Sequence, residues 1–353
     1  MDKILSIVVP TYNMEQYLAN AITSLLIPAP LFSLLDIIIV NDGSTDASLS
    51  IAQQFAQSYP QNIRIINKTN GNYGSCINSA LQIANGKYIK ILDADDTFNT
   101  DAFTKFVSRL TTESADLVLT NYSIVSQRGR CLKRISMPLT PASDGSLTFA
   151  QLTSVAHLMA MHSVCYRTAI LIQIGYEQTE GISYTDMEWI SWPIIAVKSI
   201  KYYQLNLYKY LYGRNGQTVD EQTHLRKMCD EEIGILKNIA QLQSLPSNHI
   251  AYNYLKKRIY QRLRSVYHGT LANAPTNAFS LKNFEDKLKA TGFSFEEETN
   301  SMSLNCIFFR YYLIHSWRKT YDQYALRKSI SYKVYHLLRS VRNAYNNLYC
   351  KYL

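Results

Sequence analysis

Five short apolar runs, separated by segments of helical periodicity, recur over residues 4–120 and leave few folds open to this chain. The first is Ile4-Leu5-Ser6-Ile7-Val8-Val9, stopped by Pro10. Asp36–Val40, Ile63–Ile66, Tyr88–Leu92 and Asp116–Thr120 follow. Between them the apolar residues take helical spacing near 14–26, 46–58, 74–85 and 100–112. Strands that are apolar throughout need cover on both faces, so this alternation predicts a parallel sheet between layers of helices. Ligands of such sheets bind beyond the C-terminal ends of the strands. The polar clusters of the sequence fall there: Thr11-Tyr12-Asn13, Asn41-Asp42-Gly43-Ser44 and Asp93-Ala94-Asp95-Asp96.

The last cluster places three carboxylates within four residues. They repel one another, and each is costly to bury unpaired. A divalent cation with oxygen ligands, holding a phosphate-bearing substrate, answers both problems. The plainer reading is a cap for the following helix, for which Asp96, Thr97 and Asn99 are all suited. Asn70-Gly71-Asn72-Tyr73-Gly74-Ser75 precedes another predicted helix. Its two glycines let a backbone approach a ligand closely, although turn geometry alone explains them as well.

The 353 residues carry a net charge of +9 and six cysteines at 76, 131, 165, 229, 306 and 350, with no CxxC pair. Scattered thiols fit a reducing cytoplasm better than a disulfide framework or a zinc site. The N-terminus has no basic stretch followed by a long apolar one, and no run reaches the ~18–20 apolar residues of a membrane span. A protein in solution or on a membrane surface is expected. Residues 301–353 hold nine Lys/Arg against the single acid Asp322. Within them Val334, Leu338, Val341, Tyr345, Leu348 and Tyr352 share one helix face, flanked by Lys333, Arg342 and Lys351. That face suits either packing on the rest of the protein or contact with a membrane surface. The texture changes near 220, where glycine becomes scarce and helical spacing dominates. Domains of 1–220 and 221–353 are expected.

Ser6-Ile7-Val8-Val9-Pro10-Thr11-Tyr12-Asn13, Ile39-Val40-Asn41-Asp42-Gly43-Ser44-Thr45-Asp46 and Leu92-Asp93-Ala94-Asp95-Asp96, in this order and spacing, resemble the family 2 glycosyltransferases over roughly residues 4–218. The resemblance implies an α/β GT-A fold, Rossmann-like with a mainly parallel sheet flanked by helices, and here a C-terminal α-helical extension. It implies inverting transfer of a sugar from a nucleotide-diphosphate donor, UDP-linked by default, to a glycan or polyprenyl-linked acceptor in surface polysaccharide synthesis. Asp95 would be the main ligand of Mn2+ or Mg2+. Asp93 would serve the ribose, or the metal through water. Asp42 would hold the base, in a pocket shared with Pro10, Thr11, Tyr12 and Asn13. Asn72 and Gly74 would run beside the donor.

In Tyr184-Thr185-Asp186-Met187-Glu188-Trp189 the resemblance makes Asp186 the catalytic base, with Glu188 in support; the plainer reading is a surface carboxylate capping a helix expected over 187–197. Thr185 departs from the family pattern, which favours Glu at that place. Arg214, in Tyr212–Thr218, would reach the diphosphate. His157 and His162 read as structural histidines, with acceptor contact the other reading. The cytoplasmic side of the cell membrane is the implied location. Two other readings stay open. One is a non-catalytic nucleotide-sugar-binding scaffold. The other is a nucleotidyltransferase, against which the absence of a Gly-rich loop after the first strand counts. No nucleic-acid module is present, and nucleic acid is not an expected partner.

Overall fold

Strand β1 (Leu5–Thr11) is buried almost throughout, and its neighbours on both sides are fully buried. In the computed structural model, which describes residues 2–138, 144–214, 228–272 and 281–293, it lies parallel to β2 (Leu35–Asp42) on one side and to β4 (Tyr88–Ile91) on the other. Beyond β2 comes β3 (Ile63–Lys68), also parallel. Pro10 has no N–H to offer. It is paired with Val40 of β2, while the ladder to β4 has already ended at Val8. Thr11, Asp42, Lys68 and Asp93 therefore lie at or just past the same, C-terminal, ends of four parallel strands.

The helices between these strands cover the sheet: α1 (Leu18–Thr23), α2 (Ala29–Phe32), α3 (Ser48–Ser58), α4 (Asn72–Leu81) and α5 (Thr100–Leu110). Helix α5 shows why they form. Phe103, Phe106, Val107 and Leu110 recur at helical spacing and are all fully buried. Each such burial is worth roughly 1.5–3 kcal/mol. The Asn99 side chain accepts from the Ala102 N–H and caps the helix. The cap is thus supplied without any of the three clustered carboxylates.

Past β4 the sheet departs from the mainly parallel arrangement expected. Its order is β3-β2-β1-β4-β9-β6-β10-β5. The short β9 (Val164–Arg167) runs antiparallel between β4 and β6 (Leu117–Ser126). Strand β10 (Ile200–Tyr212) is parallel to β6 and antiparallel to β5 (Thr97–Phe98). Strands β7 (Cys131–Ile135) and β8 (Gly145–Leu147) pair with β6 and β10 respectively. Strand β9 follows the β6–β7 hairpin and β8 in the sequence, and a strand of four residues inside an apolar stretch carries no periodicity by which to read it. The β6–β7 hairpin turns at Gly129, whose φ is +74.

Helices α6 (Phe149–Ser154), α7 (Thr168–Gln173) and α8 (Asp186–Trp189) complete this part. The helix expected over 187–197 is only the four residues of α8 and a 3-10 turn, Trp192–Ala196. Pro193, which cannot donate, stands where a continuous helix needs an N–H.

The protein divides into two compact units, Met1–Gln217 with Gln241–Arg258, and Thr218–Ala240 with Ile259–Leu353. In the first, Tyr254 donates to the Ile190 carbonyl and Arg258 to that of Ala156, so the returning segment fixes the backbone just after α8. The described part of the second is helical, drawn from Met228–Gln243, Tyr252–Ala272 and Leu281–Ala290. Ile235, Ile239, Phe284 and Leu288 are buried there, and Arg262 pairs with Glu231. The apolar stripe from Val334 to Tyr352 lies outside the described residues. No helix among the described residues is long and apolar enough to cross a membrane.

Candidate active site

Loops from five strands meet at the C-terminal ends of β1–β4. The loop after β1 is tied to the loop after β2. The Asn13 N–H donates to Ser44 Oγ at 3.0 Å and Met14 N–H to Ser48 Oγ at 2.7 Å. In return Asn13 Oδ1 accepts from the Thr45 N–H at 2.8 Å. Tyr12 between them is half exposed, whereas Thr11 is buried and donates to the Val9 carbonyl. The Asp42 carboxylate, 2 % exposed, accepts from Lys68 Nζ at 2.6 Å and from the Gly71 N–H at 2.9 Å. Asp42 thereby anchors the loop before α4.

Asp93, Asp95 and Asp96 are each held differently. Asp93 accepts from the Tyr73 hydroxyl at 2.8 Å. Burial first, and then the Asp95 charge, push its carboxyl up to about 7; Asp186 adds to the push and Arg214 opposes it. Asp95 pairs with Arg214 at 2.5 Å, and the guanidinium lies over the Tyr17 ring. Asp96 is fully enclosed. It accepts from the Tyr208 hydroxyl at 2.7 Å and the Leu211 N–H at 2.6 Å, and burial with the Asp95 and Asp93 charges raises it well above the usual carboxylate range. The same Tyr208 oxygen accepts from the Asp93 N–H.

His162 joins this group. Its Nε2 is 3.9 Å from Asp96, and ligand atoms of Asp93, Asp96 and His162 all lie within 4.8 Å of one another. Burial, then Lys90, hold the imidazole down to about 3, so it is neutral and makes no ion pair with Asp96. It packs among Tyr122, Tyr208 and Tyr210. Lys90, wholly buried on β4, donates to the His162 and Val164 carbonyls and so sets this segment in place. The donor set is carboxylate oxygen with one imidazole and no thiolate, which fits a hard divalent ion of the Mg2+ or Mn2+ type. Asp93 belongs both to this grouping and to the expected Asp93–Asp95 pair. Asp95 itself is turned to Arg214.

Asp186 reaches the site from α8. Its charge contributes to raising Asp93 and Tyr73, which places it in their electrostatic neighbourhood. Glu188 is buried and accepts from the Thr179 N–H at 3.0 Å. The loop that leads to α8 lies on α4. Asn78 exchanges hydrogen bonds with the backbone of Gln178 at 2.8 and 2.9 Å, and the Gly181 N–H donates to Gly71 O. A Cβ on Gly74 would stand 2.2 Å from the Thr179 carbonyl oxygen, so this glycine makes room for protein backbone. Among the described residues, Asn13, Asn72 and Tyr184 are the non-glycines at positive φ; Asn13 and Tyr184 lie in loops of this site and Asn72 opens α4. Backbone strain of this kind collects at functional sites.

Sequence reasoning missed Tyr73, Lys90 and Tyr208, and weighed His162 as a structural histidine or an acceptor contact, not as a neighbour of the carboxylates. Each touches its partner across a long stretch of sequence, and only the acidic motif gave a local signal.

The sequence matches Glycosyl transferase family 2 over residues 6–175. These residues belong to that family. The MG025-homolog glycosyltransferase of Mycoplasma pneumoniae is 43 % identical over 100 residues, 28 % of this chain and 33 % of that protein. The minor teichoic acid biosynthesis protein GgaB of Bacillus subtilis is 41 % identical over 98 residues, 28 % of this chain and 11 % of its own length. The match thus spans a third or less of these curated relatives. Glycosyltransferase YibD of Escherichia coli is 24 % identical over 276 residues, 74 % of this chain and 79 % of that protein. Among solved structures, S. aureus TarS 1–349 in complex with UDP-GlcNAc has a TM-score of 0.56 at 19 % identity, covering 84 % of this chain and 78 % of that one. The shared fold is GT-A, a mixed sheet flanked by helices, and further helices follow it towards the C-terminus.

Proposed function

We propose that this protein is an inverting, metal-dependent glycosyltransferase of family 2. It moves a sugar from a UDP-linked donor to a glycan or lipid-linked acceptor in surface polysaccharide synthesis. The observation that carries the reading is the gathering of Asp93, Asp96 and His162, whose ligand atoms lie within 4.8 Å of one another, just past the C-terminal end of a parallel strand, with the Asp186 charge felt at Asp93. The UDP-GlcNAc named for TarS and the polymer named for GgaB favour the donor and the product class.

Asp93 and Asp95 would hold the divalent ion, with Asp96 and His162 beside them. An ion held there would supply positive charge to offset that of the departing diphosphate. Asp42 and the Pro10–Asn13 loop receive the base, with Asn72 beside the donor. Arg214 exchanges Asp95 for the diphosphate, to which its planar fork is matched. Asp186 takes the proton of the acceptor hydroxyl as that oxygen attacks the anomeric carbon from the face opposite the leaving group. Residues 1–220 are the transferase domain in this reading, and 221–353 a helical basic region that brings it to the inner face of the membrane.

Asp186→Asn tests the assignment. Donor binding should persist while UDP release from UDP-sugars with acceptor falls on the order of 10²–10⁴-fold. Loss of donor binding in that variant would remove Asp186 from the role of base.

A further inference from the structure

Of the eight arginines of the first unit, four pair with carboxylates, Arg64 with Asp36, Arg109 with Asp144, Arg167 with Asp116 and Arg214 with Asp95, and Arg258 donates to the Ala156 carbonyl. One place differs. The β6–β7 hairpin carries Arg128, Arg130, Lys133 and Arg134, all exposed, and no ion pair among the described residues involves any of them. From residue 117 to residue 143 the sequence contains no Asp or Glu at all.

The hairpin is also joined to the site. Strands β6 and β10 stay paired as far as Ser126 and Tyr212. Gln127 Nε2 then donates to the Gly213 carbonyl at 2.8 Å, one residue from the Arg214 that pairs with Asp95. The basic turn thus begins beside the loop that closes on the carboxylate cluster. Cations on an exposed edge strand can serve simply to prevent edge-to-edge pairing. That accounts for Lys133 and Arg134 on β7. It does not account for Arg128 and Arg130, which lie in the turn, off the ladder.

We infer that this hairpin binds the acceptor, and that the acceptor is a glycan bearing phosphate groups along its length. The inference rests on the transferase reading. Three of the four cations are arginines, whose planar forks bind phosphate oxygens in pairs. The donor's own diphosphate is already provided for at Asp93, Asp95 and Arg214, so a second anion is required to match the hairpin. Phosphates along the acceptor would settle on the hairpin while the terminal hydroxyl reaches Asp186.

The test compares the full-length protein with the variant R128Q/R130Q/K133Q/R134Q, whose substituted side chains are all on the surface. The probes are inorganic polyphosphate, phosphatidylglycerol vesicles, and UDP with Mn2+. The basic segment 301–353 is present in both proteins, so the difference reads the hairpin alone. Polyphosphate affinity should fall about tenfold in the variant and lose much of its salt dependence. Vesicle and UDP binding should be unchanged. Equal polyphosphate affinity in the two proteins would overturn the inference. So would loss of vesicle binding without loss of polyphosphate binding, since the hairpin would then serve lipid headgroups. If neither protein binds UDP while the polyphosphate difference holds, the transferase reading fails and the hairpin stands as a phosphate-binding surface.

Discussion

Lys90 is a cation buried on a central strand and compensated by two carbonyls in place of a carboxylate. Burial pushes its ammonium down from 10.5 to about 8. Between these values the unfolded state binds a proton that the folded protein has released, so stability rises with pH across that window. Relative to Lys90→Met, the wild type should gain up to ~3 kcal/mol between pH 8 and pH 10, measured by denaturant unfolding at each pH. Parallel pH profiles for the two proteins would show that the amine does not titrate in this range. At neutral pH the variant also strands the His162 and Val164 carbonyls, at ~1–3 kcal/mol. Residues of this kind are hard to read from sequence. Asp93 and Asp95 announce themselves through their neighbours, whereas a lysine within Tyr88–Leu92 looks like a break in a strand. Tyr208 looks like one of many tyrosines until it is seen to reach Asp96 across 112 residues.

The first four strands and the helices between them were legible because each is long enough to show its period and is bounded by turn residues. Strand β10 was not, because its Tyr, Lys and Asn residues alternate without a clear apolar face and the pairing to β6 shifts between Tyr203 and Tyr208. The motif around Asp186 was legible, but the element that carries it was overestimated, since one turn of helix and a 3-10 turn replace a longer helix. What positions Asp186 is the loop before α8, clamped to α4 through Asn78 and Gly74. Gly74→Ala forces the Thr179 backbone away, since the new Cβ cannot share its place. Stability should fall by ~1–3 kcal/mol. If Gly74 acts by supporting this loop, kcat should drop with little change in UDP affinity. If it lies against the donor instead, UDP affinity should fall and kcat should follow.

For the molecule as a whole, the sequence separated a strand–helix region from a helical basic one. It held no sign that residues 241–258 return to the first unit, because Tyr254 and Arg258 are ordinary members of a helical pattern until their partners at Ile190 and Ala156 are known. The central claim is that the acidic ends of the parallel strands bind a nucleotide diphosphate through a divalent ion. Calorimetric titration with UDP, with and without Mn2+, in the wild type and in Asp95→Ala, tests it most directly. The account predicts manganese-dependent UDP binding in the wild type and its loss in the variant. Equal UDP binding with and without Mn2+, or undiminished manganese-dependent binding in Asp95→Ala, would contradict it.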